Sequence, residues 1–98
     1  MKALDQTKHG CFHFDAGDPI YRDHFPGHPV VPGSLIIHAF LETIGRYTDV
    51  GTPRTATCFR FKRFIAPGYY AFRIQPRPDG RMDCRLMDND ETVVTGAL

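Results

Sequence analysis

The sequence predicts an α+β domain in which one helix packs against an antiparallel sheet of about five strands. Three features predict this class: one stretch with helical periodicity at residues 34–47, a proline- and glycine-rich loop before it, and short alternating runs after it. The sheet is expected to bury its apolar face against the helix. Because the chain has 98 residues, 42% of them hydrophobic, we expect a single domain spanning residues 1–98.

The first elements are a short strand and a stiff loop. Cys11–Phe14 is expected to form the strand, and the loop reads DPIYRDHFPGHPVVPG. Its prolines at positions 26, 29 and 32 fix φ and bias the preceding residues toward extended conformations. Such a loop is expected to hold the side chain of His24 in place.

The helix, SLIIHAFLETIGRY, is expected to be apolar over an arc of roughly 240°. The polar stripe that remains contains Ser34, His38, Glu42 and Gly45. A helix with so little polar surface is expected to be wrapped by its surroundings and nearly all buried. Its stripe then has to face something polar, which predicts that the functional site lies there.

Four strands are expected after the helix. In Thr55–Ile65, Phe59 and Phe61 alternate with charged residues, and the phase breaks at Arg63–Phe64, where a bulge is expected. The other three are predicted at Tyr70–Gln75, Arg81–Met87 and Glu91–Leu98, with turns at Asp79–Gly80 and Asp88–Asp90. Two of them are expected to direct one face inward, namely Tyr70, Phe72 and Ile74, then Met82, Cys84 and Leu86.

Composition excludes several classes of function. The net charge of +1 argues against a nucleic-acid-binding protein. Three widely spaced cysteines do not suit a disulfide framework, which favours reduced thiols and a cytoplasmic location. No secretory signal or membrane span is expected. No metal or cofactor is expected either, because Pro26 prevents a helix from aligning His24 with His28 and no cysteine or carboxylate completes a set.

The start of the helix is suited to binding a carbonyl oxygen. Gly33 and Ser34 are placed where backbone N–H groups lack helical acceptors and where the helix dipole is positive. A thioester carbonyl held there would be polarised as in an oxyanion hole. Because Gly33 has no Cβ, it is expected to let that carbonyl come close.

The segment HFPGHPVVPGSLIIHAFLE, residues 24–42, resembles the signature of the hot-dog-fold 3-hydroxyacyl-acyl-carrier-protein dehydratases of fatty-acid synthesis. FKRFIAPG at residues 61–68 and DETVVTGAL at the end are similar to later segments of that family. The resemblance covers residues 11–98 in outline and is strongest over residues 22–45. The chain lacks the extra N-terminal segment of many members and is expected to be a minimal version.

The resemblance implies a central helix wrapped by the sheet, and a dimer with acyl tunnels at its interface. His24 matches the catalytic histidine and Gly33 matches the glycine whose amide binds the thioester carbonyl. Ser34, Pro32 and Phe25 are expected to contribute to substrate binding beside them. The implied substrate is a thioester of acyl-carrier protein or of CoA. The implied assembly is a homodimer, an oligomer of dimers or a heterodimer.

His38 departs from the family pattern, because it occupies the position of the catalytic Glu or Asp. Dehydration needs an acid for the leaving hydroxyl, and burial favours the neutral imidazole, which is a weak acid. Four explanations stay open: Glu42 keeps His38 protonated, Glu42 is itself the acid, a second hot-dog subunit supplies the carboxylate, or the chain does not dehydrate. The last case includes an acyl thioesterase and a non-catalytic carrier-binding subunit of a hetero-oligomeric dehydratase. The leading interpretation is a dehydratase, a lyase of fatty-acid, lipid or polyketide-type synthesis.

A cluster of cations is expected beside the tunnel mouth. Arg60, Lys62 and Arg63 lie close together in the sequence, and carrier proteins are acidic. The cluster therefore predicts a docking surface whose association weakens with salt. Charged residues at exposed strand positions also serve solubility, which is the alternative explanation.

Overall fold

The computed structural model describes residues 7–22, 27–47 and 55–98. Five strands and one α-helix follow one another as β1 (Lys8–Phe14), α1 (Gly33–Gly45), β2 (Thr57–Phe61), β3 (Gly68–Pro76), β4 (Met82–Asp88) and β5 (Glu91–Ala97). A short 3-10 helix, Pro19–Arg22, lies between β1 and α1. The predicted α+β class and the number of strands are confirmed.

The strands form one antiparallel sheet in the order β1-β3-β4-β5-β2. The alternation predicted for β3 and β4 is confirmed, since Phe72, Ile74, Cys84 and Leu86 are buried on the face toward α1. The same face packs against Phe40, which has no exposed surface. This is the expected hot-dog arrangement, with the core between the helix and the inner face of the sheet.

The irregularity in β2 does not lie at Arg63–Phe64, so that prediction was wrong. The register shifts between Thr57 and Arg60, where two residues of β2 oppose the single residue Gly96 of β5. Cys58 accommodates the extra residue with a φ of 56°, as in a bulge. The strand ends at Phe61 rather than at Ile65, and the chain then bends away from the sheet.

The helix is less buried than its composition predicted. In the single chain the buried helical residues are Ile36, Phe40, Thr43 and Ile44, and the other apolar side chains are half-buried. One sheet covers one side of a helix, so the remaining apolar surface of α1 stays accessible to a further subunit. The described part of the chain contains no helix long and apolar enough to span a bilayer.

Candidate active site

In the first turn of α1, two backbone amides have no acceptor among the described residues. Pro32 precedes the helix in an extended conformation and makes no side-chain cap, and its carbonyl accepts hydrogen bonds from the amides of Leu35 and Ile36 at 3.0 and 3.3 Å. Among the described residues, no acceptor lies within hydrogen-bonding distance of the Gly33 or Ser34 amide. These N–H groups stand at the positive end of the helix dipole, where an oxygen with partial negative charge is stabilised.

An apolar cavity of about 280 Å³ adjoins this helix start. Its lining comes from the loop, from the first turn of α1 and from the segment after β2, namely Val30, Val31, Pro32, Gly33, Ile36, Phe61, Arg63, Phe64 and Ile65. Low polarity strengthens any hydrogen bond that an amide makes inside such a cavity. The arrangement suits an apolar chain that carries one carbonyl group.

Gly33 has a packing role that the sequence did not reveal. A Cβ at this position would come within 2.9 Å of Cζ of Phe61, and within 3.3 Å of two further ring atoms. The ring of Phe61 therefore occupies the space that we had expected a thioester carbonyl to approach through. Gly33 lets β2 pack against the first turn of the helix, and no described residue accepts a hydrogen bond from its amide.

His38 and Glu42 form the contact that their spacing predicts. Nε2 of His38 lies 3.1 Å from Oε1 of Glu42, one helical turn away. Both side chains are exposed, at 65% and 59%, so the argument that burial keeps His38 neutral does not apply to the single chain. An ion pair in this geometry requires the protonated imidazolium, which is the form that can donate a proton.

A second cavity, of about 230 Å³, lies beside this pair. It is more polar, and its lining is His13, Phe14, Asp15, Asp18, Tyr21, Leu35, His38, Ala39 and Glu42. It shares no lining residue with the apolar cavity. Within the described part of one chain, the Gly33 amide and the His38–Glu42 pair therefore do not line a common cavity.

Tyr21 contributes a polar group that the sequence analysis did not single out. Its ring is buried, and its hydroxyl is the one buried side-chain polar atom without a hydrogen-bond partner among the described residues. Burial raises the pKa of this phenol, and the carboxylates of Asp18 and Asp15 raise it further. The hydroxyl is therefore a protonated donor at neutral pH. The sequence gives little indication of this role, since PIYR has no pattern that distinguishes it from other loop segments.

The three cations proposed for carrier docking are exposed, but they are not equivalent. The guanidinium of Arg63 lies 2.5 Å from Oδ2 of Asp88 and 3.3 Å from Oε1 of Glu91. The hydrogen bond to Asp88 is the main cause of the raised pKa of Arg63. Arg60 and Lys62 make no ion pair with any described carboxylate. The positive charge of Arg63 is thus already paired with two carboxylates of the same chain.

Two predicted site residues, His24 and Phe25, lie outside the described residues. Ser34 is exposed and lines neither cavity, whereas Pro32 and Gly33 both line the apolar one. No group of three or more His, Cys, Asp or Glu side chains suited to a metal ion occurs in residues 7–22, 27–47 and 55–98.

Known proteins with similar sequences and structures are dehydratases. The chain is 40% identical over 68 residues to the 3-hydroxyacyl-[acyl-carrier-protein] dehydratase FabZ of Thermomicrobium roseum, a match covering 60% of this chain and 45% of that protein. With the FabZ of Aeromonas hydrophila it shares 38% identity over 61 residues, covering 52% of this chain and 40% of that one. The chain thus spans less than half the length of these curated relatives.

A solved structure extends the likeness to the whole fold. The dehydratase heterocomplex ApeI:P from Xenorhabdus doucetiae superposes with a TM-score of 0.75 at 18% identity, covering 99% of this chain and 88% of the other. At that level of identity the superposition establishes the fold. The family described as "ApeI-like: ApeI dehydratase" matches residues 2–96, nearly the entire sequence. The chain therefore belongs to the ApeI-like dehydratase family.

Proposed function

We propose that this chain is a subunit of a dehydratase that removes water from 3-hydroxyacyl thioesters. In the reaction the C2–H and C3–O bonds break, a C2=C3 double bond forms, and the proton and hydroxyl leave as water. The observation that carries the proposal is the Gly33 amide, which lies at an apolar cavity and has no acceptor among the described residues. Membership of a dehydratase family supports the same reaction.

The thioester carbonyl would bind at the helix start. Its oxygen would accept hydrogen bonds from the Gly33 and Ser34 amides, which lowers the pKa of the C2 proton by stabilising the developing enolate. Pro32 and Phe25 would contact the acyl chain beside it. His24 would be the base that takes the C2 proton, since the HFPG sequence places it shortly before this turn.

The acid would come from the His38–Glu42 pair. The contact of 3.1 Å places a carboxylate beside the imidazole, so Glu42 would orient the ring that donates the proton. An imidazolium can give its proton to the leaving hydroxyl and recover it from His24 through solvent. This assignment uses the first of the explanations that the sequence left open.

A second subunit is needed to complete the site. In the described part of one chain, Gly33 and the His38–Glu42 pair line different cavities, and the two would meet only across an interface. Phe61 and Phe64 are 41% and 78% exposed beside the apolar cavity, and only four of the thirteen residues of α1 are buried. We propose that a second hot-dog chain, identical or related, covers this surface. The structural neighbour is itself a heterocomplex, which supports the heterodimer.

The acyl group would arrive on an acyl-carrier protein or on CoA. Exposed Lys62 would attract an acidic carrier, with Arg63 contributing less because Asp88 and Glu91 hold it. Arg60 lies on the outer face of the sheet, away from the apolar cavity, and is not assigned this role. The pathway would be fatty-acid, lipid or polyketide-type synthesis. A cytoplasmic location fits three cysteines that are all free.

The reaction is tested by following the enoyl thioester formed from a 3-hydroxyacyl thioester, while a thiol reagent detects hydrolysis in parallel. His24→Ala is expected to lower the rate at least a hundredfold, which is the usual contribution of a positioned base. His28→Ala is the matched control, because His28 is an exposed histidine of the same loop. Equal rates for the two variants would refute the role of His24.

A non-catalytic subunit is the second candidate, favoured by the histidine at the family's carboxylate position. It predicts no turnover by the chain alone, and full turnover when a complete hot-dog subunit is added. His38→Glu distinguishes the two, since restoring a carboxylic acid should create or raise dehydration if only the acid is missing. Release of free thiol without enoyl product would instead identify a thioesterase.

A further inference from the structure

The outer face of the sheet carries basic residues on four of its five strands, and they form one row across the sheet. The strand registers pair His9 with Arg73, Arg73 with Arg85, Arg85 with Thr95, and Thr95 with Arg60. Directly paired residues point to the same side of a sheet. We call His9, Arg73, Arg85 and Arg60 the basic row, and Thr95 interrupts it.

The basic row points away from the core. On β3 its member Arg73 alternates with the buried residues Phe72 and Ile74, and on β4 Arg85 alternates with Cys84 and Leu86. All four members are exposed. The row is therefore available to a partner on the side of the sheet opposite the helix and both cavities.

The arginines of the row are not neutralised within the described part of the chain. Arg73, Arg85 and Arg60 make no ion pair there, whereas Arg63 is paired with Asp88 and Glu91. Arg77 likewise contacts Asp79 and Asp83, at 3.0 and 3.5 Å. Acidic residues are thus available on neighbouring strands and pair with other arginines.

Arg73 and Arg85 oppose each other directly, with no intervening residue. Like charges at directly opposite positions destabilise a sheet. Arg85 could be replaced by a neutral residue at this exposed position without disturbing the core. A row that costs stability and stays unpaired is the arrangement expected of a surface that binds an anionic partner.

We infer that the basic row docks an acidic α-helix of a partner protein, lying across the strands. Neighbouring strands are about 4.8 Å apart, so Arg73, Arg85 and Arg60 fall at about 0, 5 and 14 Å along the row. A helix rises about 1.5 Å per residue, which places acidic residues at i, i+4 and i+11 at about 0, 6 and 16 Å on one face. Flexible arginine side chains absorb the remaining mismatch.

The spacing favours a helix over a membrane surface or a nucleic acid. The cations form a single row, flanked on β4 by the acidic residue Asp83. Binding to an anionic bilayer requires a broad basic face rather than a single row. Binding to a nucleic acid requires more positive charge than a chain of net charge +1 carries. The inference does not depend on the reaction, because the row contacts neither cavity.

The test uses a synthetic helical peptide with Glu at i, i+4 and i+11, and a second peptide of identical composition whose glutamates are spread around the helix. Binding to the ¹⁵N-labelled full chain is followed by NMR titration. The first peptide is expected to shift the amides of β3, β4, β5 and β2 around the row, and to bind several-fold more tightly than the second. Raised salt should weaken it.

Arg73→Gln with Arg85→Gln is expected to weaken this binding about tenfold, from the loss of two exposed charge contacts and their cooperation. Arg22→Gln with Arg46→Gln is the matched control, since both arginines are exposed and lie outside the sheet, and the pair removes the same two positive charges. The double variant should also melt slightly higher than the parent chain, because the like-charge pair is relieved.

Three results would overturn the inference. Equal binding of the two peptides, or equal weakening by Arg22→Gln with Arg46→Gln, would show that only net charge matters. Shifts centred on the helix or on the apolar cavity would place the acidic partner elsewhere. A third result would identify a membrane surface as the partner. In that case the chain binds vesicles containing phosphatidylserine, Arg73→Gln with Arg85→Gln weakens this binding about tenfold, and the chain shows no preference for the first peptide. Dehydration rates measured on the same variants test the proposed function separately, because the basic row contacts neither cavity.

Discussion

Replacing Gly33 by alanine tests both the packing and the chemistry of the helix start. The added Cβ would lie 2.9 Å from Cζ of Phe61, where ordinary contacts begin near 3.4 Å. The ring must therefore move by roughly half an ångström or more. It can do so, because Phe61 is on the edge strand β2 and is 41% exposed.

The expected cost in unfolding free energy is small. Overpacking costs about 1–3 kcal/mol, and the low end applies where the neighbour can yield. Alanine returns up to about 1 kcal/mol, because it is less flexible than glycine in the unfolded chain. The net change should be within about 1 kcal/mol, or a melting-temperature change within about 8 °C for a domain of this size.

The expected effect on activity is larger. The displaced ring and the new methyl group both reduce the space in front of the Gly33 amide, so kcat/KM for dehydration should fall at least tenfold, part of the loss seen when an oxyanion donor is removed. Gly45→Ala is the matched control in the same helix, since a Cβ there meets no atom within 4 Å. It should leave kcat/KM unchanged and raise stability by up to about 1 kcal/mol.

A double-mutant cycle with Phe61→Leu isolates the contact. In that background Gly33→Ala should cost less stability than in the parent chain, by about 1 kcal/mol, because the ring is gone. The packing account fails if the cost is the same in both backgrounds. The role of the amide fails if Gly33→Ala and Gly45→Ala have equal kcat/KM values.

Three further substitutions have defined outcomes. Tyr21→Phe should raise the unfolding free energy measured in urea by about 1 kcal/mol, since it removes a buried hydroxyl without a partner. Because the pKa of Tyr21 is raised in the folded state, the unfolded chain ionises first and the free energy of unfolding falls as the pH rises above about 10. Tyr21→Phe should lose less unfolding free energy over that range. Parallel pH profiles for the two proteins would contradict this. Phe40→Ala should cost about 3–5 kcal/mol by the same urea measurement, because Phe40 is fully buried between helix and sheet, and a loss near 1 kcal/mol would argue against this core. A double-mutant cycle on His38 and Glu42 should give a coupling below about 0.5 kcal/mol by thermal melts, since both are exposed, and a coupling several times larger would require a buried pair.

The sequence predicted the elements whose pattern reports burial directly. Alternation in β3 and β4 follows from one face packing on the helix, and Phe72, Ile74, Cys84 and Leu86 are buried as expected. The stretch around Phe40 shows helical periodicity for the same reason, and its start after Pro32 follows from proline chemistry. Local patterns of this kind need no knowledge of the partner strand.

Features that depend on non-local partners were not predicted. The bulge at Cys58 exists because two residues of β2 meet the single residue Gly96, and strand pairing is not visible in β2 alone. The close contact of Gly33 with Phe61 joins residues 28 positions apart. His38 was expected to be buried because its neighbours are apolar, yet one sheet covers only one side of α1.

The central claim is that His24 removes the C2 proton of a thioester whose carbonyl is bound at the start of α1. Hydrogen exchange at C2 tests this claim most directly. The complete assembly would be incubated with a 3-hydroxyacyl thioester in D₂O, and deuterium at C2 of recovered substrate and of enoyl product would be measured by mass spectrometry. We predict incorporation or elimination with the parent chain, a loss of both in His24→Ala, and retention of both in His28→Ala. Equal incorporation in the parent chain and His24→Ala, or neither reaction in the parent assembly, would contradict the account.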